Sequence, residues 1–211
     1  MATDQRYKRP KTMFRFRIEL EEGPIPIWRL IDVPENYSFW DLHVAIQDSM
    51  GWLDYHLHEF RATRPKSRLR KPVGLPHDEE MLPEVLPGWQ VPLTRFFQKP
   101  GDVMEYLYDF GDGWTHEVTL AGMILAEPER RYPACIDGAG ACPPEDCGGV
   151  WGYQRLLAVI RDEQHEEREE LVGWLRGMNS DNWPFDPMRF DRASVRFDSP
   201  KKRLRMVLEG G

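Results

Sequence analysis

The 211-residue sequence has only three cysteines, and all of them sit late in the chain, at Cys135, Cys142 and Cys147. So few, and an odd number, cannot make a disulfide framework; reduced thiols in a cytoplasmic protein are the expectation. The chain is long enough to bury a full core without such staples. There is no run of about 18 apolar residues, so no membrane-spanning helix is expected. The segment from Met1 to Lys11 is polar and basic and lacks the apolar stretch of a secretory leader. Positive charge is not in excess either. Twenty-eight Lys and Arg stand against 35 Asp and Glu, for a net charge of -7. Nucleic acid could be a partner only through local basic patches. Internal repeats and low-complexity segments are absent.

What is present is a hydrophobic content of 41%, which excludes general disorder, with eight Trp and 18 Pro that suggest short, aromatic-anchored elements between loops. Met13 to Leu20 alternates, with Phe14, Phe16, Ile18 and Leu20 on one face, as a half-buried strand does. Ile27 to Val33 reads as its antiparallel partner. Ser38 with Asp41 three residues on resembles a capping box, opening a helix from Phe39 to Met50 with Gly51 as its C-terminal cap. Phe39, Leu42, Ile46 and Met50 form its apolar stripe. Tyr55 to Thr63 reads as a third strand. Asp112-Gly113 is a strong signal for a two-residue hairpin turn between Val103–Phe110 and a strand starting at Trp114 and reaching towards Leu125. That turn would set Asp109 opposite His116. Glu127 to Gly149 reads as a loop, followed by helical segments from Val150, from about Glu163 to Arg176, and from Pro200 to Leu208. Strands early and helices late predict an α+β fold: an antiparallel sheet with a central β-hairpin, packed against one early helix and a C-terminal helical segment. Residues 1–10 read as a flexible tail and 11–211 as a single domain.

Several constellations could carry chemistry. His56 and His58 have the spacing that places two imidazoles on one face of a strand, and with Asp109 and His116 they could hold zinc or another divalent metal, leaving a position for water. The alternative is a buried histidine, a carbonyl-bonded one and a structural Asp109–His116 pair. Cys135, Cys142 and Cys147 could ligate zinc instead, be buried small hydrophobes, or place two of the three in a disulfide. Glu145 and Asp146, just before Gly148-Gly149 and a helix, could add an oxygen ligand or a general base, or simply favour the helix dipole. Arg64, Lys66, Arg68, Arg70 and Lys71 form a basic loop that could meet phosphates, or be solvated charge. Trp28, Trp52 and Trp114 read as core anchors.

Three stretches together carry a resemblance: Pro26-Ile27-Trp28-Arg29 with Leu42-His43 and Met50-Gly51-Trp52 through His56-Leu57-His58-Glu59-Phe60; Tyr106 through His116; and Ala141 through Gly149 with Gly152-Tyr153. They resemble the plasmid pRiA4b ORF-3-like family over roughly residues 10 to 190. The resemblance implies an α+β single-domain fold, an uncharacterised function and an association with plasmids or other mobile elements. It does not imply recombination chemistry, because the first serine, Ser38, is assigned to a helix cap rather than to a nucleophile. Two functions follow: an accessory or binding module of mobile DNA, or a metal-dependent, hydrolytic enzyme using Asp109, His116, Glu145 and Asp146 beside the histidines.

Overall fold

Alternation decides the first hairpin. In the computed structural model, which describes residues 12–62, 71–76, 84–178 and 184–209, β1 (Thr12–Leu20) pairs antiparallel with β2 (Trp28–Pro34), Phe16 opposite Ile31 and Phe14 opposite Val33. Phe14, Phe16, Ile18 and Leu20 are buried, while Arg15, Arg17 and Glu19 face the wetter side. A sheet with one packed and one solvated face produces this pattern. Each fully buried Phe or Ile contributes about 1.5–3 kcal/mol relative to exposure.

The capping box forms as the sequence predicts. Ser38 accepts from the Asp41 N–H at 3.2 Å, Asp41 accepts from the Ser38 N–H at 2.8 Å, and helix α1 runs Phe39–Met50 to a left-handed Gly51. The stripe is wider than predicted. Trp40, His43, Val44 and Gln47 are buried as well, because the last helix, α4 (Pro200–Glu209), covers the outer side of α1. Trp40 Nε1 donates to the Pro200 carbonyl at 2.9 Å. Arg203 reaches from α4 to Asp48 and Asp54.

The remaining strands are β3 (His58–Ala62), β4 (Val73–Gly74), β5 (Leu86–Pro87), β6 (Val103–Tyr108), β7 (Trp114–Leu125) and β8 (Ala134–Ala139). They form one eight-stranded sheet in the order β5-β4-β3-β6-β7-β1-β2-β8, antiparallel except for β4 with β5. The third strand starts at His58 rather than Tyr55, and Glu127–Gly149 contains β8 instead of being loop throughout. Helices α2 (Gly149–Arg161) and α3 (Arg168–Met178) follow. Tyr153, Leu156, Leu157 and Leu175 join the same core as α1 and the sheet. Trp151, on the same helix as Tyr153, does not: it is 82% exposed. The protein is α+β, and none of its described helices is long and apolar enough to cross a membrane. The expected tail, residues 1–10, lies outside the described residues.

The central hairpin corrects the sequence reading. Tyr108 pairs with Trp114 and Tyr106 with His116, so Asp109 is not opposite His116 but begins a five-residue turn. The pairing is displaced by three residues from the Asp112-Gly113 reading, and an odd displacement moves one strand to the other face. The observed register puts Tyr106, Tyr108, Trp114, His116 and Val118 in the core together. The alternative would have turned the two tyrosines out and Asp109 in. Asp109 also stabilises the longer turn directly: its Oδ1 accepts from the N–H groups of Gly111 (2.9 Å) and Asp112 (3.2 Å). Such a local Asx contact competes well with a two-residue turn.

Candidate functional site: three loops at one end of the sheet

Because β3 and β6 run antiparallel with His58 opposite Tyr108, the residues before β3 meet the residues after β6. The Asp109 N–H donates to the Leu57 carbonyl at 3.0 Å, extending that ladder by one bond and setting the Asp109 carboxylate beside His56. A third segment, the loop between β8 and α2, closes over both. Trp52 Nε1 donates to the Pro143 carbonyl (3.0 Å), and Glu145 Oε1 accepts from the Leu53 N–H (2.8 Å) and from the Tyr108 hydroxyl (3.0 Å). The Gly148 N–H donates to Asp112 Oδ2 at 3.1 Å. Gly149 lies so close to Asp112 that a Cβ would collide with the Asp112 carbonyl oxygen, and its φ is +66°. Only glycine satisfies both demands.

The result is a cluster of four side chains. His56 Nε2 stands 3.0 Å from Asp146 Oδ1, 3.6 Å from Asp109 Oδ2 and 3.9 Å from Glu145 Oε2. One ligand atom each from His56, Asp109 and Asp146 lies within 4.8 Å of the others, the spacing of donors around a metal ion. Asp109 and Glu145 are buried, Asp146 is exposed and His56 is intermediate. Two atoms of the cluster, His56 Nε2 and Glu145 Oε2, are buried with no aligned hydrogen-bond partner. Burial raises the Glu145 carboxyl above the ordinary range, partly offset by its bonds to Leu53 and Tyr108. Asp109 and Asp146 both have φ of 56°, and Asp54, in the loop that carries His56, has φ of 61°. Strained non-glycine backbone concentrates where a fold over-determines a site.

The other predicted ligands are elsewhere. His58 is 2% exposed and stacks on His43, with ring centroids 3.4 Å apart and planes 6° from parallel. His116 is fully buried, its Nδ1 facing the Tyr106 carbonyl at 3.3 Å. Desolvation holds His58 well below the usual imidazole value and His116 down to about 4. The sequence reading therefore grouped His56, His58, Asp109 and His116, but the fold joins only His56 and Asp109 and recruits Glu145 and Asp146 from the later loop. Both histidines belong to a core layer, one stacked in the interior and one facing a carbonyl, the arrangement given above as the alternative to a metal site. Asp54 accepts and cannot donate, so His43 carries its proton on Nε2 (2.8 Å to Asp54 Oδ1) and accepts the Tyr106 hydroxyl on Nδ1 (2.8 Å). Tyr106 in turn accepts from Gln47 at 2.9 Å.

Among the described residues no cysteine takes part in a group of three donors at metal-binding spacing. The three thiols are free, and burial pushes Cys135 up to about 11, Cys147 to about 12 and Cys142 above its ordinary value too. Lys71 pairs with Glu84 at 2.6 Å, and Arg64, Lys66, Arg68 and Arg70 lie outside the described residues. Trp52 and Trp114 are core anchors, as expected.

The loops that build this cluster are the stretches that carry the family resemblance, now seen to converge. Residues 12–194 match the family model described as plasmid pRiA4b ORF-3-like protein. The chain belongs to that family. Among its relatives, the uncharacterized protein y4hQ of Sinorhizobium fredii is 32% identical over 179 residues, covering 81% of this chain and 84% of the relative. The crystal structure of MM3350, a protein of unknown function from Methanosarcina mazei Go1, is similar with a TM-score of 0.76 and 38% identity, covering 89% of this chain and 99% of that one. In this pRiA4b ORF-3-like protein, α4 begins beyond the span matched by the family model, yet its Arg203 contacts Asp54 in the loop that carries His56.

Proposed function

We propose that this protein is a divalent-metal-dependent enzyme of hydrolytic type, with the ion held by His56, Asp109 and Asp146 and with Glu145 beside it. The observation that carries the reading is the convergence of one donor atom each from His56, Asp109 and Asp146 within 4.8 Å, on three separate loops clasped together by buried hydrogen bonds. One imidazole with carboxylates suits zinc, manganese or ferrous iron better than a purely soft-ligand ion. A metal there would lower the pKa of a bound water towards neutrality. Glu145, fixed through Oε1 by Leu53 and Tyr108, keeps Oε2 facing the cluster, where it would serve as the proton acceptor for such a water.

The family's description names a plasmid open reading frame, and that name is the support for a mobile-element-associated role. Lys71, the one residue of the basic loop among the described residues, is engaged by Glu84 of the same chain and adds no support to a nucleic-acid-binding role. The test is elemental analysis of untagged protein. About one equivalent of a transition metal is expected, lost in His56→Ala and Asp109→Asn but kept in His116→Gln. Metal-free wild-type protein, or full occupancy in both of the first two variants, would overturn the proposal.

A further inference from the structure

Strand β7 outruns its neighbour. It is 12 residues long and β6 only six, and their last pair is Val103 with Thr119. Leu120 still bonds the Asp102 carbonyl and the Gly101 N–H, and there the contact with that side ends. Gly122 to Leu125 pair with Arg15 to Thr12 of β1 on one edge. On the other edge no described residue completes the ladder. The two outer strands of the sheet are guarded by contrast. Arg192 donates to the Ile136 carbonyl of β8 at 2.9 Å, and the Phe190 ring lies against Gly138 of the same strand. β5 is two residues long and ends in Pro87. Short strands, proline and covering segments are the devices that keep sheet edges from pairing with other chains.

The open part of β7 has none of them. Val118 to Ala126 contains no charged residue and no proline. Met123 shares a face with its cross-strand partner Phe14, and Leu125 falls on that face two residues on. Phe14 is buried, whereas Met123 is 44% and Leu125 79% exposed. Backbone pairing and side-chain cover therefore run out over the same residues. The flanking charges are already balanced within the chain. Arg15 pairs with Asp32 and Glu127 with Arg130, and Asp102 accepts from the N–H groups of Gln98 and Lys99.

We infer that Gly122–Leu125 is a docking edge for the same segment of a second copy of this chain, paired antiparallel across a twofold axis. A row of unpaired N–H and C=O groups between apolar side chains is matched by another extended backbone. The edge has no charge with which to select a charged peptide. Turned end for end it is its own complement: donors meet acceptors, apolar side chains meet apolar side chains, and no like charges oppose. Two copies close the contact, so it does not propagate. So short a strand pair falls below the roughly 1,600 Å² of a standard interface, and the dimer dissociates on dilution. The edge lies at the end of β7 remote from the turn that carries Asp109, so this inference is independent of the metal-centre reading.

The experiment is sedimentation equilibrium of the full-length protein over a dilution series, with hydrogen exchange followed in parallel. The wild type is expected to double its mass reversibly as concentration rises, and the Gly122–Leu125 amides to slow with it. Met123→Lys/Leu125→Lys is expected to weaken association roughly tenfold or more, since lysine is a residue that natural edges use against pairing. Both positions are exposed in the single chain, so the circular dichroism of this variant should match the wild type. Leu208→Lys, on α4 and 56% exposed, should leave association unchanged. A wild type that stays monomeric throughout would overturn the inference. So would a dimer equally tight in the double lysine variant, or one lost in Leu208→Lys. Slow exchange of the Gly122–Leu125 amides at every dilution would also overturn it, because the edge would then be covered by the chain itself.

Discussion

The Tyr108 hydroxyl donates to Glu145 Oε1 at 3.0 Å and accepts the Tyr55 N–H at 3.1 Å. One phenol thus ties the loop before β3 to the loop before α2, and it comes from the last residue of β6. Tyr108→Phe removes both bonds and leaves part of Glu145 unsatisfied. The expected cost is about 1–3 kcal/mol of stability and a roughly 10–100-fold loss of metal affinity, as for other groups that orient ligands. Urea denaturation and competition with a chromophoric chelator measure the two. Metal affinity within twofold of wild type would remove Tyr108 from any positioning role.

Gly149 is the second test of the clasp. Gly149→Ala forces a side chain into the Asp112 carbonyl and onto a backbone with φ of +66°. A loss of about 2 kcal/mol or more is expected. Gly173→Ala, in the middle of α3 with open space around it, should be neutral or slightly stabilising, since alanine is the better helix former. Equal effects at the two positions would mean that the loops are not held as described.

Acid should loosen the protein before its carboxylates titrate. His116 has its pKa held down to about 4 by burial, and His58 is lowered as well, against an ordinary value of 6.5. Between those values the unfolded chain binds more protons than the folded one, so stability rises with pH. It is fully present above about 6.5 and is lost as pH falls towards 4, by about 3 kcal/mol for His116 alone. The raised carboxyls of Glu145 and Asp48 work in the opposite sense above the ordinary carboxylate range. The difference in denaturation midpoints between wild type and His116→Gln from pH 7.5 to 5 therefore isolates that histidine. Equal slopes for the two proteins contradict its burial as a neutral imidazole.

Arg203 fastens α4 to the rest of the fold. It lies 2.6 Å from Asp48 and 3.4 Å from Asp54, whose side chains are only 7% and 12% exposed, and 2.8 Å from the open Asp198. Arg203→Met leaves two nearly buried carboxylates without their cation, at an expected cost of about 3 kcal/mol. Because Asp54 also receives His43 and begins the loop that carries His56, protease sensitivity near α4 and weaker metal binding should appear together. Destabilisation without any change in metal affinity would show that the two ends of that loop are independent.

The sequence by itself determined the elements whose signals are local. The alternation of Phe14, Phe16, Ile18 and Leu20 sufficed for β1, the Ser38–Asp41 box and Gly51 for α1, and the strands-then-helices order for an α+β fold. Each rests on residues within a few positions of one another, where periodicity and capping chemistry act. Tertiary structure decided the rest. The register of the β6–β7 turn depended on which set of aromatics could be buried against α1, a non-local competition that overrode Asp112-Gly113. Strand β8, Ala-Cys-Ile-Asp-Gly-Ala, carries no alternation and exists because β2 offers it an edge. The candidate site divides in the same way. The sequence singled out His56, Asp109, Glu145 and Asp146 as residue types able to bind metal, but it joined the first two to His58 and His116. Starting β3 at His58 sent that histidine into the core and left His56 in the loop, and Gly148-Gly149 let the distant loop approach Asp112 closely enough to bring in the last two carboxylates.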